Sequence, residues 1–145
     1  MCILVALLAA GWTARGHAQP AAAIREDDTV NFLKLRTEKF LNGVGQGNVE
    51  ASLDELLINS PLAKDAKKIV RLKEGLGDGL AAYGTFLEAE AIQAERVGKA
   101  LVRCVYLYHC ETFPVVWHLT YYRSSESEGW KLIELRYDLD YERLK

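Results

Sequence analysis

Three apolar runs between Leu101 and Leu139 constrain this chain more than anything else in it. They read Leu-Val-Arg-Cys-Val-Tyr-Leu-Tyr-His-Cys, Phe-Pro-Val-Val-Trp-His-Leu-Thr-Tyr-Tyr and Trp-Lys-Leu-Ile-Glu-Leu-Arg-Tyr-Asp-Leu. Each is rich in β-branched and aromatic residues, and turn signals separate them at Glu111-Thr112 and Ser124 to Gly129. The pattern predicts a three-stranded antiparallel meander. A tight turn at Glu111-Thr112 would set Cys110 opposite Phe113, Tyr108 opposite Val115, Tyr106 opposite Trp117 and Cys104 opposite Leu119. A loop around Ser124 to Gly129 would set Leu119 opposite Ile133, Trp117 opposite Leu135, His118 opposite Glu134 and Tyr122 opposite Trp130.

Side chains alternate between the faces of a strand. That register gathers Cys104, Tyr106, Tyr108, Cys110, Phe113, Val115, Trp117, Leu119, Tyr121, Ile133, Leu135, Tyr137 and Leu139 on one face, the expected inner face. The other face receives Arg103, Val105, Leu107, His109, Val116, His118, Thr120, Tyr122, Trp130, Leu132, Glu134, Arg136 and Asp138. It is too polar for a core, yet more apolar than a solvated face requires, which suggests a partner such as a second copy.

The first half reads as helices. Asp27, Asp28 and Thr29 supply caps for a helix over Thr29–Leu41, with Val30, Leu33, Thr37, Phe40, Leu41 and Val44 on one side. Asn42-Gly43 would end it. The glycines at 43, 45 and 47 follow a helix and do not fit a dinucleotide fingerprint. Asn48 would cap a second helix, Val49–Ile58, with Leu53, Leu56 and Leu57 inward. Ser60-Pro61 would start a third that runs to Leu76, with Leu62, Ala66, Ile69, Val70, Leu72 and Leu76 as its apolar side. Lys64, Lys67, Lys68, Arg71 and Lys73 form its solvated side. Residues 85–93 read as a polar strand suited to a sheet edge, with a short helix as the alternative, and Val97-Gly98-Lys99 as the turn after it. Helices followed by four strands make an α+β chain with a four-stranded antiparallel sheet.

At the N-terminus, the short apolar run Ile3–Ala10 and the small residues before Gln19 resemble a secretory signal with cleavage after Ala18. The expected organisation is a signal peptide at 1–18, a flexible segment at 19–28 and one domain at 29–145, placed outside the cell or in the periplasm. The apolar run is shorter than the roughly 20 residues of a membrane span. A net charge of −2 without a basic cluster argues against nucleic acid as a partner. Cys104 and Cys110 lie six residues apart in one strand, about 20 Å. Bridged Cα atoms sit within about 7 Å, so two separate buried thiols are expected.

The chain resembles the nuclear transport factor 2-like superfamily. The resemblance rests on the first helix leading into Gly43-Val44-Gly45-Gln46-Gly47-Asn48-Val49-Glu50, the short helix ending in Leu56-Leu57, and the hairpin Val116-Trp117-His118-Leu119-Thr120-Tyr121-Tyr122-Arg123 … Gly129-Trp130-Lys131-Leu132. It covers about residues 29–142 and is a pattern of elements. It implies N-terminal helices packed into the hollow of a curved, cone-like sheet. In such a cone Tyr106, Tyr108, Trp117, Tyr121 and Tyr137 would line a site for a small apolar ligand, with plain core packing as the alternative.

The expected function is therefore a non-enzymatic binding module, dimeric through the outer sheet face. The alternative is an isomerase- or lyase-type enzyme working in the hollow. Enzymes of that kind in the superfamily use an aspartate base beside a tyrosine hydroxyl. No carboxylate of the meander falls on the inner face in this register, Glu88 or Glu90 of the first strand being the alternative source, and no catalytic residue carries across. Neither a metal nor a cofactor is expected. Cys104 and Cys110 point inward while His109 and His118 point outward, so no ligand set converges. His118 and Glu134 read as part of a surface polar cluster, and Ser124, Ser125 and Ser127 as turn residues.

Overall fold

The computed structural model describes residues 26–144. The signal-peptide expectation and the segment 19–25 lie outside the described residues. The architecture is α+β: helices packed on one face of a four-stranded antiparallel sheet of order β1-β2-β3-β4. The sheet does not close on itself, so β1 and β4 are its edges.

Helix α1 (Glu26–Gly45) begins earlier and ends later than its sequence pattern suggests. Gly43 does not stop it. Gly47 does, with φ at +83°. In that left-handed conformation, natural for glycine, the Gly47 and Asn48 N–H groups donate to the carbonyls of Val44 and Gly43 at 3.0 and 2.8 Å. The expected stripe is the buried one: Leu33, Thr37, Phe40, Leu41 and Val44 are in the core, and Val30 packs against it.

Asn48 occupies the cap position of α2 (Val49–Leu56), but its side chain makes no capping hydrogen bond. Leu53, Leu56 and Leu57 are buried as expected. The single third helix of the sequence reading is three pieces. Ser60 caps a 3-10 turn, Pro61–Lys64, by accepting from the Leu62 N–H. Asp65 breaks the run and caps α3 (Ala66–Glu74) by accepting from the Lys68 N–H at 3.0 Å. A wide π-type turn, Gly75–Gly79, then leads toward the sheet. Val70 and Ala66, placed on the apolar side by periodicity, are exposed, while Leu76 is fully inside.

The strands are β1 (Phe86–Val97), β2 (Leu101–Cys110), β3 (Val115–Tyr122) and β4 (Lys131–Asp138). Strand β1 is longer than expected and carries two register shifts, at Phe86/Glu88 and Ala91/Gln93. Its edge position explains why so polar a strand is tolerated. Between β2 and β3 the expected register is found: Cys104 with Leu119, Tyr106 with Trp117, Tyr108 with Val115. The turn beyond is longer than expected, so Phe113 is not paired with Cys110 and stands 54% exposed.

Between β3 and β4 the register differs from the expectation by two residues. Leu119 faces Leu135, Trp117 faces Tyr137 and His118 faces Arg136. A bulge at Thr120/Tyr121 then sets Thr120 opposite Glu134 and Tyr121 opposite Leu132. Ile133 is the extra residue, and one extra residue reverses side-chain parity along the rest of the strand. Leu132 is therefore buried in the core and Trp130 packs against it, although both were assigned to the outer face. Ile133 and Leu139, assigned inward, are exposed. Tyr122 pairs with Lys131 and not with Trp130.

Candidate functional site

The inner face brings four of the five predicted site aromatics fully into the core. Tyr106, Trp117 and Tyr121 are 0% exposed and Tyr108 is 2% exposed, while Tyr137 is half-buried. They divide into two groups according to what α1 and the π-type turn place above them.

The first group is a polar seam under α1. Thr37 points inward because it lies on the buried stripe of that helix. Its hydroxyl donates to the Leu33 carbonyl at 2.9 Å and lies 2.9 Å from the Tyr121 hydroxyl. The Arg36 guanidinium sits 5.8 Å from the centre of the Tyr121 ring and donates to the carbonyls of Leu56 and Trp130 at 2.7 and 3.2 Å. The Tyr106 hydroxyl donates to the Lys34 carbonyl at 3.3 Å and to Glu38 Oε1 at 3.2 Å. Burial pushes the Tyr106 and Tyr121 phenols above their ordinary range, and the Glu38 carboxylate adds to this at Tyr106. Burial also pushes the Cys104 thiol up to about 11, opposed in part by Thr37 and Lys34. A buried protonated thiol behaves as a small apolar group.

Glu38 was missed by the sequence reading, which sought a carboxylate on the sheet. The signal was its place next to Thr37, at the rim of the buried helix stripe. The phenol shares its one proton between the Lys34 carbonyl and Glu38 and so ties α1 to β2.

The second group is a cluster around Trp117. Its ring centre lies 5.0 Å from that of Tyr137, 6.2 Å from Tyr108 and 5.6 Å from Phe40, the last edge-on at 80°. Phe86 of β1 continues the cluster, 4.4 Å from Tyr108. Burial raises the Tyr108 phenol, and that of Tyr137 as well. The Trp117 Nε1–H is buried and has no hydrogen-bond partner among the described residues. The π-type turn closes over Tyr137. A Cβ on Gly75 would stand 2.6 Å from the Tyr137 hydroxyl, so only glycine fits there without displacing it.

The outer face carries the other expected residues. Gln93, Glu95, Arg103, Val105, His118, Thr120, Glu134 and Arg136 surround a shallow depression of about 430 Å³. Glu134 does not meet His118. It accepts from the Thr120 hydroxyl at 2.8 Å, and His118 Nε2 lies 3.9 Å from Asp138. His109 Nε2 lies 2.9 Å from Glu90 on β1. Cys104 and Cys110 are free, buried thiols on the opposite face from both histidines. No group of three metal-ligating side chains converges among the described residues. Also among them, no helix is long and apolar enough to cross a membrane.

Comparison of the chain with protein-family models, with curated proteins and with solved structures finds no match in any of the three.

Proposed function

We propose that this protein is a secreted or periplasmic, non-enzymatic binding module for a small apolar molecule that carries one hydrogen-bond acceptor. The observation behind this is the buried Trp117 Nε1–H without an acceptor. Leaving such a donor unmet costs about 1–3 kcal/mol, and folded proteins rarely do so. A carbonyl or ether oxygen on a ligand would meet it, once the rings of Tyr108 and Tyr137, which pack against Trp117 at 6.2 and 5.0 Å, move apart to admit the apolar remainder. The entry would be at half-buried Tyr137, past the Gly75–Gly79 turn, whose Gly77 and Gly79 are exposed. The nuclear transport factor 2-like resemblance, which implies a ligand site inside the sheet, and the signal-like N-terminus support the same reading.

Acetophenone, an aryl ketone, is a suitable probe. It should shift the indole N–H resonance of Trp117 and leave that of Trp130 unmoved, and Trp117→Phe should abolish the response. The reading fails if millimolar ketone leaves the Trp117 resonance in place and native mass spectrometry of the protein, purified from its own compartment, shows only the bare chain.

A second reading concerns assembly. The helices cover the inner face, and the outer face presents Glu95 and Glu134 together with Arg103 and Arg136, all exposed, around half-buried Val105 and Leu107. A second copy related by a two-fold axis would set arginines of one protomer against carboxylates of the other. Sedimentation equilibrium should then report twice the chain mass, returning to a single chain in Arg136→Glu. A single-chain mass for the unaltered protein at high concentration would dismiss the dimer.

A further inference from the structure

A third surface belongs neither to the inner nor to the outer reading. It is built from the outward side of α1, the residues after α2 and the start of β4. Phe32 and Leu35 on α1 and Ile58 beyond α2 are 59%, 66% and 57% exposed. They border a shallow depression of about 500 Å³ that also touches Trp130. A second depression shares Asn59 and Trp130 with it and continues to Tyr122 and Ile133, which are exposed too. The apolar strip is thus continuous. The buried stripe of α1 makes no use of Phe32 or Leu35, and a solvated helix face requires neither.

The charge around the strip is unlike that of the chain. Arg36, Lys39, Lys64 and Lys131 line the two depressions, and Arg123 stands 4.9 Å over the Trp130 ring. Among the described residues that line the two depressions, four cations face two carboxylates, Glu55 held by Lys39 and Glu128 held by Lys131. The whole chain carries −2, yet this surface is positive. Exposed Asp28, one helical turn before Phe32, bounds it at the start of α1. Arg36 also fixes the strip, since its bonds to the carbonyls of Leu56 and Trp130 hold α1, α2 and the start of β4 together.

We propose that this strip docks the protein on an anionic lipid bilayer. Phe32, Leu35 and Ile58 enter the headgroup region, Trp130 and Tyr122 lie at its level, and Lys39, Lys64, Lys131 and Arg123 rest against lipid phosphates. The shape favours a membrane over a protein partner: three side chains protrude around an open, shallow depression, where a partner helix would need a groove to lie in. The long cationic side chains can extend along the apolar surface with their charges outward, and each adds to attraction by anionic lipid. The contact is peripheral and reversible, because it rests on the side chains of a folded surface.

The test is co-sedimentation of the full chain with vesicles of phosphatidylglycerol and phosphatidylcholine, compared with vesicles of phosphatidylcholine alone. Binding to the anionic vesicles should be at least about tenfold tighter and should weaken in high salt. Leu35→Glu should weaken it about tenfold or more, and Lys64→Glu several-fold. Both residues are exposed, so the variants should melt like the parent chain. Lack of binding to anionic vesicles, equal binding to both compositions, or full binding by Leu35→Glu would each overturn the proposal. So would a dimer in the absence of lipid that Leu35→Glu dissociates, which would give the strip to a second copy.

Discussion

The hydroxyls of Thr37 and Tyr121 meet at 2.9 Å in the fully buried seam between α1 and β3. The Thr37 proton is directed to the Leu33 carbonyl, so Tyr121 is the donor to Thr37 Oγ1. The two ends of this bond are therefore unequal. Thr37→Val leaves a buried phenol with no acceptor and should destabilise the fold by about 1–3 kcal/mol. Tyr121→Phe leaves Thr37 still bonded to Leu33 and should cost about 0.5–1.5 kcal/mol. Urea midpoints of the two variants check this. Equal losses, or a larger loss in Tyr121→Phe, would contradict the assigned direction.

Gly45, in the last turn of α1, lies against Phe86 at the start of β1. A Cβ there would stand 2.2 to 2.6 Å from three atoms of the ring. The ring cannot retreat freely, because it packs on Tyr108. Gly45→Ala should therefore destabilise the protein by about 1–3 kcal/mol, despite alanine's better helix propensity. Combining it with Phe86→Leu should return part of the loss, and thermal melts of the single and double variants measure that coupling.

How far the sequence discloses the structure depends on where parity is unbroken. The buried stripe of α1 follows from spacing alone, and the β2–β3 register follows from one short turn between two alternating runs. The β3–β4 pairing does not. The loop from Ser124 to Gly129 is long enough to permit several registers, and nothing marks Ile133 as a bulge residue. Ile133 and Leu132 are equally apolar, so the inversion that buries Leu132 and exposes Ile133 has no compositional trace. The inner aromatics were legible for the same reason as the core. The Trp117 indole without an acceptor and the Glu38–Tyr106 bond were not, since each needs a helix placed over a strand.

Stability should fall in alkali in a defined window. Burial raises the Cys104 thiol to about 11 from its ordinary value near 9, and it raises the Tyr106, Tyr108 and Tyr121 phenols too. A folded-state value above the unfolded one means that the native chain holds its proton while the unfolded chain has released it. The contribution is fully present below the unfolded value and is lost as pH rises through the folded one. Unfolding free energy should therefore be flat up to about pH 8 and decline from about 9 upward, by roughly 1.4 kcal/mol per pH unit for each group in its window. Cys104→Ala should lower the neutral-pH stability but flatten the first part of that decline. A wild-type curve level to pH 11 would refute the assignment.

Ser60 joins the helical half to the edge of the sheet. Its hydroxyl donates to the Leu132 carbonyl and accepts from the Leu62 N–H, so one buried side chain caps the 3-10 turn and occupies a carbonyl of β4. Leu132 is the residue that the bulge turns inward, and the bond holds it where the parity reverses. Ser60→Ala removes both partners and leaves the Leu132 carbonyl unmet at a buried position, which should cost about 1–3 kcal/mol. The loss should also be local. Amide hydrogen exchange should rise at residues 60–64 and along the first half of β4, while β2 keeps its protection. A variant that loses protection evenly across all four strands would show that Ser60 supports the fold as a whole and not this junction.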